Sequence, residues 1–299
     1  MAPKPTRHTL ARPLSVVGVG LHSGHHVRTT IAPAPAGQGL VFVRTDMPAH
    51  QGRIPALWTH ATPATLCTRL LNAYGASVAT IEHLMAALHA LAITDATISV
   101  DSAEIPILDG SARPWVDHLL HAGLRDLGVP APLLRVQRPV EVRSGTAWAR
   151  LRPNPGRGLA LTCAIDFATP AIGVQSYTHR LTSAGFAQQL APARTFCMDR
   201  DIRAMHAQGL ALGGSVDRAV IFRDTGPINP EGLRFANEPV RHKMLDAIGD
   251  LYLAVGLWEA AFEANRPGHA LTGALLSKAF ATPGAIEAAA PGLLAARAA

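Results

Sequence analysis

Aromatic residues make up only 5% of the 299-residue sequence and charged residues only 16%. Acidic side chains are missing from its start: Lys4, Arg7, Arg12, Arg28 and Arg44 all precede Asp46, the first carboxylate. No run of Lys and Arg with interleaved aromatics occurs, which argues against a nucleic-acid-binding module. No uninterrupted apolar stretch approaches the roughly 20 residues that a membrane-spanning helix needs. The three cysteines, Cys67, Cys163 and Cys197, form no C-x-x-C pair. Three cannot all pair, which argues against a disulfide framework and points to a reducing compartment. What is present is ample core material, with 48% apolar residues, and a formal charge of +6. The length is about twice that of a common single domain of roughly 100–150 residues, so two domains are expected. The positive surplus suits an anionic partner, although composition alone does not show that it is used. The basic N-terminus leads into the apolar run at residues 14–21, which resembles a targeting segment. Two glycines and no small-residue cleavage site make it a strand and turn of the mature fold instead.

Residues 15–19, 27–31 and 40–44 carry β-branched or alternating character between Gly-, Pro- and His-rich turns, and are expected to form antiparallel strands. Residues 80–91 repeat apolar side chains at helical spacing (Ile81, Leu84, Met85, Leu88, Leu91), with Thr80 as the expected N-cap. A buried strand over 96–100 and a helix over 115–122 follow. Gly128 to Pro132 reads as a linker, which divides the chain into residues 1–128 and 129–299. Beyond it come a strand-rich block over 134–167, a helix over 200–208, a strand over 218–222 and a long helix over 237–258. Pro239 sits in the first turn of that helix, where its missing N–H costs nothing. Strands, helix, strand and helix thus occur twice, which predicts an α+β class with two layered halves.

Four clusters could carry chemistry. His242, Asp246 and Asp250 fall at i, i+4 and i+8 on one face of the long helix, so His242 and Asp246 can grip one cation. Taken alone, this spacing equally describes a hydrogen-bonded pair on a solvated face. Glu82-His83 opens the first helix and can supply a third ligand and a neighbouring base, or be a polar pair at a helix start. His269 follows a Pro-Gly turn, either as a proton donor or as a surface residue. Thr195, in Ala193-Arg-Thr-Phe196, either serves an oxyanion or is an ordinary polar residue near a strand end.

The joint pattern is more specific than its parts. Gly18-Val-Gly-Leu-His-Ser-Gly24, Thr80-Ile-Glu-His-Leu84, Glu104-Ile-Pro-Ile-Leu-Asp-Gly-Ser111 and Ala193-Arg-Thr-Phe196 come first. Leu212-Gly-Gly-Ser215, Gly232-Leu-Arg-Phe235, Arg241 to Asp250 and Gly268-His269 follow in order. Over about residues 7–275 the chain resembles the UDP-3-O-acyl-N-acetylglucosamine deacetylase family of lipid A synthesis. The resemblance implies two similar domains, each with a small, mainly antiparallel sheet, and helices packed between them. It implies one Zn2+ per chain, with iron(II) as a competitor, held by His83, His242 and Asp246. It further implies Glu82 as general base, His269 as general acid, Thr195 at the oxyanion and Asp250 orienting His269. Whether Glu82 alone or Glu82 with His269 moves the protons stays open. Lys243, Phe167, Phe196, Gly214, Ser215 and Arg266 are the implied substrate contacts, and an insert in the second half is expected to form an apolar passage for an acyl chain. The implied substrate is a UDP-linked acylated glucosamine, and the implied protein is a cytoplasmic monomer with peripheral contact with the inner membrane and no nucleic-acid partner.

The departures from the family pattern are few. Arg266 stands where a Lys is common, Ala79 replaces a hydroxyl residue, and the loop between Phe222 and Gly232 is less acidic than usual. An amidase for another N-acylated sugar fits the same metal set, and a non-catalytic scaffold is the third reading.

Overall fold

The computed structural model describes residues 5–288. Six helices lie among them: α1 (Glu82–Ala90), α2 (Arg113–Ala122), α3 (Ser183–Gln189), α4 (Ile202–Ala207), α5 (Glu238–Tyr252) and α6 (His269–Ala281). The first half builds a five-stranded sheet in the spatial order Leu14–Val19, His26–Pro33, Ala96–Val100, Leu40–Arg44, Arg53–Pro55. All its pairings are antiparallel except that of Leu40–Arg44 with Ala96–Val100. Alternation explains the strand Ala96–Val100, whose Ala96, Ile98 and Val100 are wholly buried while Thr97 and Ser99 are half-buried.

The second half builds its sheet around Leu257–Asn265. One edge of that strand pairs antiparallel with Ala147–Arg152. Its other edge takes Leu133–Val136 and then Leu159–Asp166, both parallel. The sheet is completed by Val140–Ser144, Val174–Arg180 and Ile286–Ala288. The class is therefore α+β, as expected; beside these seven- and five-stranded sheets, both mainly antiparallel, the described residues form one two-stranded and two three-stranded sheets.

Helices α1 and α5 pack against each other, and α5 also lies against the strands Leu159–Asp166 and Val174–Arg180 of the second sheet. Every residue of α1 is buried, as are 13 of the 15 residues of α5, so neither helix keeps a solvated face. Close approach depends on Gly249: a Cβ there would lie 2.1 Å from the carbonyl oxygen of Glu82. Behind the contact His89 of α1 stacks on Tyr252 of α5, with ring centroids 4.3 Å apart, and shares a hydrogen bond with the Ile248 carbonyl.

Several boundaries differ from expectation. The helix predicted from residue 80 begins at Glu82, and Thr80 does not cap it; Thr80 has φ 59° and donates its hydroxyl to Glu104. The long helix ends at Tyr252 rather than 258, because Leu257 and Trp258 join the central strand of the second sheet. The Gly128–Pro132 stretch is no free linker: Leu124–Pro130 is a strand paired antiparallel with Thr6–Leu10. The helix predicted over 200–208 shortens to α4, preceded by a 3-10 turn at Asp199–Asp201. The strand predicted over 218–222 runs from Val220 to Arg223. All three cysteines are unpaired.

Candidate metal centre and active site

The start of α1 brings Glu82 and His83 against the middle of α5. Ligand-capable atoms of His83, His242 and Asp246 lie within 4.8 Å of one another, and all three residues are buried. Asp246 Oδ1 is 3.3 Å from His242 Nε2 and 3.6 Å from His83 Nε2. The two imidazoles meet edge to face, with centroids 4.9 Å apart.

Three features show that a cation fits this set. Asp246 Oδ1 is buried and makes no hydrogen bond, a costly state for a carboxylate oxygen that faces no cation. Lys243 Nζ holds the other oxygen, Oδ2, at 2.7 Å. His242 donates Nδ1–H to the Ala193 carbonyl at 3.0 Å, which leaves its Nε2 lone pair toward the cluster. Burial presses on both groups. It lowers the His242 pKa to about 4, keeping the ring neutral as ligation requires. Burial also opposes the Asp246 charge, but His242, Lys243 and His83 outweigh it and hold the carboxyl well below its ordinary range.

Glu82 lies beside this cluster. Burial raises its pKa, offset in part by His269 and His83. Its Oε2 accepts the Thr68 amide at 3.0 Å, and its Oε1 lies 3.9 Å from His269 Nε2. Gly268 precedes α6, so His269 is that helix's first residue, and its ring Nδ1 lies 2.9 Å from Asp250 Oδ2. Burial disfavours the imidazolium, yet Asp250 and Glu82 overcome it and raise the His269 pKa to about 9. The site thus sets a carboxylate and a cationic imidazole on facing sides of one space, the arrangement that general acid–base chemistry uses.

That space is a cavity of about 910 Å³. Its walls include Glu82, His83, His242, Lys243, Asp246 and His269, together with Phe167, Thr195, Phe196, Gly214, Ser215 and Arg266. All the residues singled out in the sequence line it except Asp250, which lies behind His269. Phe167 and Phe196 meet edge to face at 5.5 Å, and Phe196 stands 6.3 Å from the His242 ring. Arg266 is already engaged: its guanidinium reaches Asp166 Oδ2 at 2.6 Å and Thr146 Oγ1 at 2.9 Å. Another wall comes from α4 and the loop after it, through Ile202, Met205 and Ala211. Two buried polar atoms on the cavity lining, His22 Nε2 and Ser215 Oγ, have no hydrogen-bond partner. The Ala211 amide donates to His22 Nδ1 at 3.3 Å, so the proton of the neutral ring sits on Nε2.

Sequence reading missed the residues that hold this arrangement. Glu104 accepts hydrogen bonds from the His22 and Ser23 amides, both at 2.9 Å, and from the Thr80 hydroxyl at 2.8 Å. It therefore ties the turn after the strand Leu14–Val19 to the entry of α1. Buried Arg194 donates its amide and Nε to Glu238 Oε1, each at 2.9 Å, which pins the Thr195 segment to α5 one turn before His242. Arg194 also pairs with Glu231. Thr68 touches Glu82, Asp250 and His269 together. Glu104 lay inside a quoted motif, whereas nothing in its local sequence marks Thr68.

Comparison with known proteins identifies the family. Residues 7–281 match the family model described as UDP-3-O-acyl N-acetylglycosamine deacetylase. A protein of Anaeromyxobacter dehalogenans (strain 2CP-C) is 45% identical over 279 residues, covering 93% of this chain and 89% of that protein. One of Histophilus somni (strain 129Pt) is 43% identical over 272 residues, covering 90% and 88%. One of Shewanella loihica (strain ATCC BAA-1088 / PV-4) is 43% identical over 284 residues, covering 94% and 92%. All three are named UDP-3-O-acyl-N-acetylglucosamine deacetylase.

Proposed function

The chain belongs to the UDP-3-O-acyl N-acetylglycosamine deacetylase family, and from that premise we propose how its residues carry out the reaction. It is a hydrolase of lipid A biosynthesis that cleaves the N-acetyl amide of a UDP-linked, 3-O-acylated N-acetylglucosamine, giving acetate and the free amine. The observation that carries the site assignment is the His83–His242–Asp246 cluster, with its unpartnered Asp246 Oδ1 beside Glu82 and His269.

The cluster would hold one Zn2+, and iron(II) would compete for the same nitrogen and oxygen donors. A bound ion of this kind supplies Lewis acidity, which acidifies water and polarises a carbonyl. Glu82 takes the proton from the attacking water. Its raised pKa suits a base that must later release that proton. Thr195 presents its hydroxyl to the developing oxyanion, a contact typically worth roughly 2.7–4 kcal/mol. As the C–N bond breaks, His269 hands a proton to the departing amine, with Asp250 holding the far side of its ring. Lys243 keeps Asp246 Oδ2 occupied so that Oδ1 stays free for the ion. Phe167 and Phe196 offer ring surface to the nucleotide, Arg266 offers its charge near the diphosphate, and Gly214 and Ser215 border the path of the acyl chain.

We further propose that residues 1–128 and 129–299 form the two domains, and that the protein works as a cytoplasmic monomer in peripheral contact with the inner membrane. No helix among the described residues is long and apolar enough to cross a membrane.

The test is acetate release from the acylated sugar nucleotide, before chelation, after chelation and after zinc add-back, beside Glu82→Gln. Activity should stop with the metal, return with zinc, and fall about 10²–10⁴-fold in Glu82→Gln. Turnover that survives complete metal removal would sink the metal reading. Equal turnover of unacylated UDP-N-acetylglucosamine would instead favour a different sugar amidase.

A further inference from the structure

Thr68 lies in the loop before the strand Arg69–Leu71, is 6% exposed, and is not part of the cavity wall. Its three polar contacts reach both sides of the site. The backbone amide donates to Glu82 Oε2 at 3.0 Å, the hydroxyl is 2.5 Å from Asp250 Oδ1, and the same hydroxyl is 3.0 Å from His269 Nδ1. A threonine hydroxyl has one hydrogen and an ionised carboxylate has none. The hydrogen must therefore go to Asp250, and Thr68 Oγ1 faces His269 Nδ1 only as an acceptor. Asp250 Oδ2, 2.9 Å from the same nitrogen, is an acceptor as well. Two acceptors aimed at one ring nitrogen require that nitrogen to keep its hydrogen.

We propose that Thr68 is a positioning residue that assigns the reacting atoms on both sides of the site: its hydroxyl, with Asp250, locks the hydrogen on His269 Nδ1, and its amide engages Glu82 Oε2. Proton exchange is thereby confined to His269 Nε2 and Glu82 Oε1, the two atoms that face each other at 3.9 Å. One residue outside the cavity so keeps the acid and the base in matching orientation. A hydroxyl lost here leaves Asp250 as the one remaining partner of Nδ1 and frees Asp250 Oδ1, so the hydrogen bond weakens and the ring can swing, while substrate contacts stay in place. The inference rests on the roles proposed above for Glu82 and His269.

The test uses the zinc-loaded full chain as wild type, Thr68→Val and Thr68→Ser. Valine keeps the shape and the amide but removes the hydroxyl, and serine restores it. In ¹⁵N-resolved NMR of the histidine rings, wild type and Thr68→Ser should show a downfield, hydrogen-bonded Nδ1–H for His269 in both the charged and the neutral ring. Thr68→Val should lose that signal or shift it upfield. In steady-state kinetics, kcat should fall about 10–100-fold in Thr68→Val, the range of partners that orient functional imidazoles, with KM within about twofold and recovery in Thr68→Ser. A neutral wild-type ring protonated on Nε2 would overturn the proposal without recourse to any variant. So would a Thr68→Val with unchanged signal and kcat, or a Thr68→Ser as impaired as the valine form. Should wild type show the expected Nδ1–H yet release no acetate from any acylated sugar nucleotide, the hydrogen-bond assignment stands and the functional reading falls.

Discussion

Where α1, α5 and the start of α6 line the cavity, Glu82, His242, Asp250 and His269 each hold a hydrogen-bond partner that fixes how the side chain points. Where α4 and the following loop line it, the wall is Ile202, Met205 and Ala211, and two nearby side-chain atoms, His22 Nε2 and Ser215 Oγ, have no hydrogen-bond partner. Apart from Asp246 Oδ1, the first wall's acid, base and imidazole groups are held by protein partners, which suits chemistry that tolerates little displacement. The second leaves its polar atoms open and offers shape, which suits recognition of a chain with few polar groups. Damage to the two walls should therefore differ in kind: loss of turnover at one, altered choice of substrate at the other.

The sharpest break is Asp246→Asn. It removes the one carboxylate of the three-residue cluster, so metal analysis should show the bound ion gone and acetate release below detection. Full retention of stoichiometric metal would overturn the three-ligand assignment.

Behind the first wall, burial holds the His89 pKa down near 4, so the folded state keeps its ring neutral. Between about pH 6.5 and 4 the unfolded chain binds a proton there that the native protein excludes. The stabilisation from this group is complete above about pH 6.5 and is lost as pH falls toward 4, a change of about 3 kcal/mol. Denaturant titrations across this window should show a shallower slope in His89→Gln, and identical slopes would remove His89 as the cause.

Gly249→Ala places a methyl group against the Glu82 carbonyl, where no side chain can yield. Stability should drop by about 1–3 kcal/mol, with weakened metal binding because α1 carries His83 and α5 the other two ligands. A Tm and metal affinity equal to wild type would show that the helices can separate freely.

At the second wall the effect should be smaller and selective. Ile202→Trp fills part of the passage, so kcat/KM should fall only for acyl chains long enough to reach it. Below that length each methylene should still contribute about 0.8 kcal/mol, or roughly fourfold. A uniform loss at every chain length would place Ile202 outside the acyl path.

The same contrast governs what could be read from the sequence. Residues of the first wall fall in short motifs, because a helix puts His242 and Asp246 one turn apart and sets Glu82 beside His83. The partners of those residues are not legible in this way. Thr68 meets Asp250 across 182 positions and Glu82 across 14, and no local pattern encodes either contact. Helix existence was readable from apolar period, but helix ends were not. Thr80 resembles an N-cap by residue type, yet Glu104 claims its hydroxyl and φ 59° takes it out of the helix. Trp258 continues an apolar pattern that a buried strand satisfies equally well, and only the neighbouring strands decide between them. Gly128 and Pro130 look like linker chemistry, and the pairing with the N-terminal strand overrides them.

The fully buried helix α1 has one more consequence, for synthesis. Its nine residues are complete once position 90 has been made, but α5, against which it packs, ends only at position 252. At roughly 5–20 residues per second, on the order of ten seconds or more of translation separate the two. During that interval the nascent first half carries the apolar surface of α1 without α5 to cover it, and His83 without His242 and Asp246. The cluster of His83, His242 and Asp246 can therefore be assembled only after α5 has been made.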